Sequence, residues 1–213
     1  MTPERFCTEV PQRMRRLLDS MYPIAVQQDL TTSFTLMVAM PLLMIPLERT
    51  ATYKGAPANA LSDVDTAKPF VRALLELKRG LFWEAFLCDP DLMRRWRFTE
   101  IAIRIDQPSQ WRDSLDRHPM RPGARNHIKD QTVEYVLLTL RHALAHGNVV
   151  YLNENGDEAP GRRVTHMAFV AAGRNSADHR VLIVEEVAFI EFLKTWASWL
   201  ARYDTDSSLG QAA

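Results

Sequence analysis

Cysteine is scarce: Cys7 and Cys88 are the two in 213 residues. They make neither a disulfide framework nor the paired spacing of a metal site, and they fit a reducing cytosol. A net charge of either sign is missing too, since 26 Lys plus Arg balance 26 Asp plus Glu. Without an overall basic field, contact with nucleic acid must come from a local patch. Long apolar runs are also lacking. The most apolar, Phe34 to Leu47, is shorter than the ~20 residues of a membrane span, and Pro41 and Pro46 interrupt it. It predicts a kinked, buried helix in a soluble, cytoplasmic protein with no membrane partner. The opening MTPERFCTEVPQRMRR has acids and no apolar stretch, unlike a secretory signal. No internal repeat is visible. The length suits a single domain, 1–203, followed by a polar tail, 204–213.

What is present reads first as helix. Phe6, Val10, Met14, Leu17 and Leu18 make the stripe of a first helix opened by Thr2-Pro3. A second carries FTLMVAMPLLMIPLER, with Asp29 or Thr31 as its cap. After a loop from Tyr53 to Asp65, a third runs from Lys68-Pro69 through Leu81, Phe82 and Phe86 to about Asp89-Pro90, and a short helical piece with Met93 and Trp96 follows. Prolines make most of the stretch from Gln107 to Asn126 a connector. Ile128 to His146 is the clearest helix, with Gly147 placed to stop it. Val149–Leu152, Val164–Ala171 and Val181–Val187 then read as short strands, and Phe189 to Leu200 as a closing helix. The predicted fold is mainly α, a helical bundle with a small β-hairpin or strand insertion before the C-terminal helix.

Chemistry concentrates in TLRHALAHGNVVY, residues 139–151. Arg141 and His146 form an R-x4-H pattern, for which composition alone gives about 0.6 chance matches. The chain holds two, and the other, Arg174 to His179, lies in Gly/Asn/Ser/Asp turn chemistry and predicts a solvated hairpin loop. Arg141 and His146 instead sit at the end of a strongly amphipathic helix. His142 and His146 are also i,i+4 and could share a metal, but Ala143 stands where zinc peptidases carry glutamate. His118, His127 and His166 are the further histidines for such a site. The plainest alternative is an arginine paired with a carboxylate and histidines favoured at a helix C-terminus.

The helix ending LRHALAHGN, the β-containing excursion and the tryptophan-rich closing helix together resemble the HEPN superfamily (higher eukaryotes and prokaryotes nucleotide-binding). The MPLLMIPLER helix resembles one in small stand-alone bacterial members, while close motif identity is confined to Arg141–Asn148. The resemblance implies a HEPN-like helical bundle that dimerises and, in active members, a metal-independent endoribonuclease without cofactors, sometimes a toxin or antiphage effector held by a neutralising partner. It nominates Arg141 and His146 as catalytic, with His142 at the polar position after the arginine and Asn148 beside the site. Many active relatives carry asparagine where this chain has His142. Some toxin members carry a tyrosine, modified by a partner nucleotidyltransferase, where this chain has Asn148. A catalytically silent module that binds a nucleotide or a protein is the alternative.

The chemistry agrees with that resemblance. RNA supplies its own nucleophile, the 2′-hydroxyl. Cleavage then needs a group titrating near neutrality, as histidine does, and a permanent cation for the developing phosphate charge. On an unbroken helix, residues five apart differ in direction by about 140°. Either the helix gives way near Gly147 or a second copy supplies the missing partner. For holding RNA, Arg94, Arg95, Arg97, Arg104, Arg112, Arg117, Arg121, Arg125 and Lys129 stand against four acids, with Trp96 and Trp111 placed to stack bases or to fill the core. Arg94, Arg95 and Arg97 are its leading contacts.

Overall fold

The computed structural model describes residues 6–87, 89–101, 120, 124, 126–158, 161, 163–173 and 179–205. The chain divides into two compact units, Met1–Leu77 with Ile190–Ala213, and Lys78–Phe189.

In the first unit, α1 (Phe6–Gln27) and α2 (Thr31–Arg49) pack against each other. α1 stops at Asp29, which takes a left-handed φ of 55°, while Leu30 N–H donates to Ala25 O at 2.8 Å. Neither Asp29 nor Thr31 caps α2; its N-cap is Leu30, without a side-chain hydrogen bond. Val38, Ala39, Leu42 and Leu43 of α2 are buried. α2 is nevertheless longer than its apolar run and, by length and composition, is the one helix among the described residues able to cross a membrane. A core helix passes the same test, and 39% of that window is buried. Met21, Ile24, Leu30 and Met37 leave apolar surface exposed where α1 meets α2. The region expected to be a loop holds a tight hairpin, β1 (Thr52–Tyr53) with β2 (Ala56–Pro57). Lys54 and Gly55, at φ 50° and 82°, make its two-residue turn. Beyond it, Asp63 is buried and accepts from Arg49 Nη2 at 2.9 Å, Arg49 Nε at 3.2 Å and Cys7 N–H at 3.0 Å.

Two further helices are α3 (Lys68–Arg79) and α6 (Glu186–Thr205). Within the first unit, Phe70 meets Trp199 and Tyr203 with ring centroids 5.6 Å apart. Trp196 Nε1–H donates to Leu42 O at 2.8 Å. The closing tryptophans thus belong to a core.

The second unit corrects the expected fold. It is built on a four-stranded antiparallel sheet in the order β3-β6-β5-β4, so the protein is mixed α/β and not a helical bundle with a small insertion. β4 (Val149–Leu152), β5 (His166–Ala172) and β6 (His179–Glu185) occupy the three expected strand regions. The fourth strand, β3 (Trp96–Ile101), was expected to be helical around Trp96. WRFTEI is rich in aromatic and β-branched residues, and Trp96 and Phe98 alternate with less buried neighbours, so it fits a pleated edge. α3 ends at Arg79, earlier than expected, and Phe82 falls in a single 3₁₀ turn, Phe82–Glu84. Asp89 caps the short α4 (Pro90–Met93) by accepting from Asp91 N–H at 2.7 Å.

One face of the sheet packs on α5 (Val133–His146) and an aromatic chain. Phe82 meets Trp96 at 5.1 Å, Trp96 meets Phe189 at 6.3 Å, and Phe189 meets Phe169 at 5.0 Å. The other face carries Ile101, Val150, Leu152, Ala168, Val181 and Ile183, with Met120 against them. The start of the first helix, Cys88, most of the Gln107–Asn126 connector, Arg174 to Asp178 and the tail beyond Thr205 lie outside the described residues.

Candidate functional site

Residues 141–148 owe their position to α5. Thr132 caps it, its hydroxyl accepting from Tyr135 N–H at 3.2 Å. Val133, Val136, Leu137, Leu140, Ala143 and Leu144 bury the apolar stripe. At the other end Gly147 takes φ 68°, ψ 17°. Asn148 N–H donates to Ala143 O at 2.8 Å and Gly147 N–H to Leu144 O at 3.4 Å, a Schellman stop. A Cβ on Gly147 would meet nothing within 4 Å, so backbone conformation and not crowding calls for glycine. Asn148 O then accepts from Val170 N–H at 3.0 Å, tying the stop to β5.

On this rigid end, Arg141 and His142 are half-buried and engage neighbouring groups, while His146 and Asn148 are exposed. The helix is regular through His146. Arg141 and His146 therefore point about 140° apart, and one chain does not aim both at one phosphate. His142 and His146 share a face, but no group of three or more His, Cys, Asp or Glu fit to hold a metal ion occurs among the described residues.

The basic residues expected to hold RNA are elsewhere. Arg94 is exposed and pairs with Asp91 at 2.9 Å, whereas Arg95 pairs with Glu185 at 2.9 Å. Arg97, Ile183, Ala168 and Val150 occupy one row across the sheet. Three strand spacings put the backbones of Arg97 and Val150 about 14 Å apart. Arg94, Arg95 and Arg97 thus belong to the β3 edge, and Asn148 leads into the opposite edge. Trp96 is fully buried against Phe82 and Phe189 and cannot stack on bases. Trp111, His118, Arg104, Arg112, Arg117, Arg121 and Arg125 lie outside the described residues.

Strand pairing also gathers polar groups that sequence spacing did not join. Glu185 stands between Arg95 and His166, with its Oε1 4.0 Å from His166 Nε2. Thr165 Oγ1 is 2.9 Å from His166 Nδ1. Burial pushes His166 below the ordinary histidine value; the charge of Arg97 adds to this, and Glu185 and a backbone bond with Asn153 oppose it. The unfolded chain therefore takes up a proton that the folded chain refuses. The stability this confers is present above about pH 6.5 and is lost as pH falls from there through the folded value. Denaturant midpoints should drop between neutral and mildly acidic pH, and His166→Gln should flatten that drop.

A second group surrounds a cleft of about 290 Å³ lined by Phe98, Glu100, His127, Asp130 and Gln131. His127 Nδ1 lies 3.5 Å from Asp130 Oδ2, and Tyr135 O–H donates to Glu100 Oε1 at 2.7 Å. No sequence spacing joins the Glu185 and Glu100 groupings, which follow from strand pairing.

No family model, curated protein or solved structure matches the chain.

Proposed function

We propose that the protein is a metal-independent endoribonuclease of HEPN type that acts as a homodimer through Arg141, His142 and His146. One observation supports this most: α5 is anchored by its apolar face and stopped at Gly147, so the motif sits at a rigid, partly exposed helix end. The 140° divergence of Arg141 and His146 is met by a two-fold axis that sets two motifs face to face. A His146 imidazole removes the 2′-hydroxyl proton, and the 2′-oxygen attacks phosphorus. The bond from phosphorus to the 5′-oxygen breaks as His142 protonates that oxygen. The products carry a 2′,3′-cyclic phosphate and a 5′-hydroxyl. Arg141 stabilises charge on the phosphoryl oxygens, and Asn148 lies beside the scissile strand. Such an enzyme acts on cytoplasmic RNA as a toxin or antiphage effector, restrained by a neutralising protein.

The test is cleavage of end-labelled RNA in excess EDTA. Wild type should leave cyclic-phosphate ends; Arg141→Ala and His146→Ala should not. Equal cutting by all three, or no cutting by inhibitor-free wild type, removes the enzyme reading. A nucleotide-induced rise in melting temperature without cleavage would favour the silent binding module.

A further inference from the structure

A cleft of about 530 Å³ opens beside the start of β3. Its floor is apolar, from Met93 and Ile128, and its rim carries Trp83, Arg94, Arg97 and Lys129. Three of these are cations, and none of the described lining residues is a carboxylate. The tryptophans differ sharply in access: Trp83 is 43% exposed, whereas Trp96 is 0% exposed. We propose that this cleft binds a nucleoside phosphate, its base stacked on Trp83 and its phosphate held by Arg97 and Lys129.

The volume argues for more than an anion. It falls in the range of small-molecule sites, and a phosphate alone would leave the apolar floor and the indole unused. A flat ring joined to a phosphate satisfies both halves. Lys129 Nζ lies 5.8 Å from the centroid of the Trp83 ring, at the outer limit of cation–π attraction. The ammonium can therefore turn to a phosphate with little loss. Arg94 is held to Asp91 by an exposed ion pair at 2.9 Å and by an Nε–H donated to Asp91 O at 3.0 Å, and a phosphate can displace the exposed pair. The cleft's shape is held by Asn126, one of its lining residues. Its Oδ1 accepts from Phe98 N–H at 3.1 Å and Ile128 N–H at 3.0 Å, and its Nδ2–H donates to Trp96 O at 2.8 Å.

This site does not depend on cleavage at the helix end, and the ligand can be a free nucleotide or one nucleotide of an RNA strand. Calorimetric titration of the full chain carrying His146→Ala separates these cases, because the RNA survives and a failure here leaves the nuclease reading untouched. The ligands are inorganic phosphate, adenosine monophosphate and a short oligoadenylate. Adenosine monophosphate should bind about ten-fold or more tightly than phosphate, and Trp83→Leu should remove that advantage. Lys129→Met should weaken both. Tighter binding of oligoadenylate assigns the cleft to an RNA strand, and equal binding to a free nucleotide. Equal affinity for phosphate and the mononucleotide, or an unchanged mononucleotide affinity in Trp83→Leu, would overturn the proposal. If Trp83→Leu does not fold, full mononucleotide affinity in Lys129→Met overturns it instead.

Discussion

His146→Ala should lower RNA cleavage by about 10²- to 10⁴-fold, the usual contribution of a general acid or base. His146 is exposed at the last position of α5, so the substitution opens no cavity, and stability should hold within about 0.5 kcal/mol. Chemistry and folding therefore separate cleanly at this residue. Arg141→Ala should lower cleavage to a similar degree, by roughly 10²- to 10³-fold for a lost transition-state donor. Arg141→Lys should recover little, since an ammonium keeps the charge but not the planar fork that matches two phosphoryl oxygens. Because Arg141 is half-buried and engages its neighbours, its fold is checked by circular dichroism alongside the rate. A drop in rate matched by equal loss of folded protein would assign Arg141 to structure.

The largest stability effect is expected at Asp63. Its side chain is 4% exposed and meets the fork of Arg49, which is 21% exposed. Asp63→Ala leaves that guanidinium without its partner and also strips an acceptor from Cys7 N–H. Breaking a buried pair from one side costs about 3 kcal/mol or more, which a shift in denaturant midpoint will register. Asp63→Asn keeps an acceptor but removes the charge, and should fall between. The same carboxylate acts on the Cys7 thiol. Burial first, and then the charge and hydrogen bonding of Asp63, push that thiol up to about 12. It stays protonated at neutral pH and takes no part as a nucleophile.

How far the sequence could be read depended on the range of the physical signal. The body and stop of α5 were legible because their determinants are local, a 3.6-residue stripe and a glycine at the end, but its start was expected at Ile128, where a separate 3₁₀ turn, Ile128–Asp130, precedes the Thr132 cap. β4, β5 and β6 were visible as apolar runs between turn residues. β3 was not, since WRFTEI is too short for periodicity to separate strand from helix, and only pairing with β6 decides it. Losing that strand turned a sheet-based unit into an expected bundle. Asp63 read as an ordinary loop aspartate, and its burial against Arg49 depends on the path of the intervening hairpin. For the site, the motif's place at a helix end was readable. The separation of Arg97 from it was not, because it follows from strand order.

The divided geometry of the motif gives its most direct test by complementation. Arg141→Ala and His146→Ala proteins, each inactive alone, are mixed under conditions that exchange subunits, and RNA cleavage in EDTA is followed against wild type. If opposing copies supply the arginine and the histidine, mixed dimers regain one complete site, and activity should return to a sizeable fraction of wild type. Verified exchange with activity no higher than that of either variant alone would contradict the shared site.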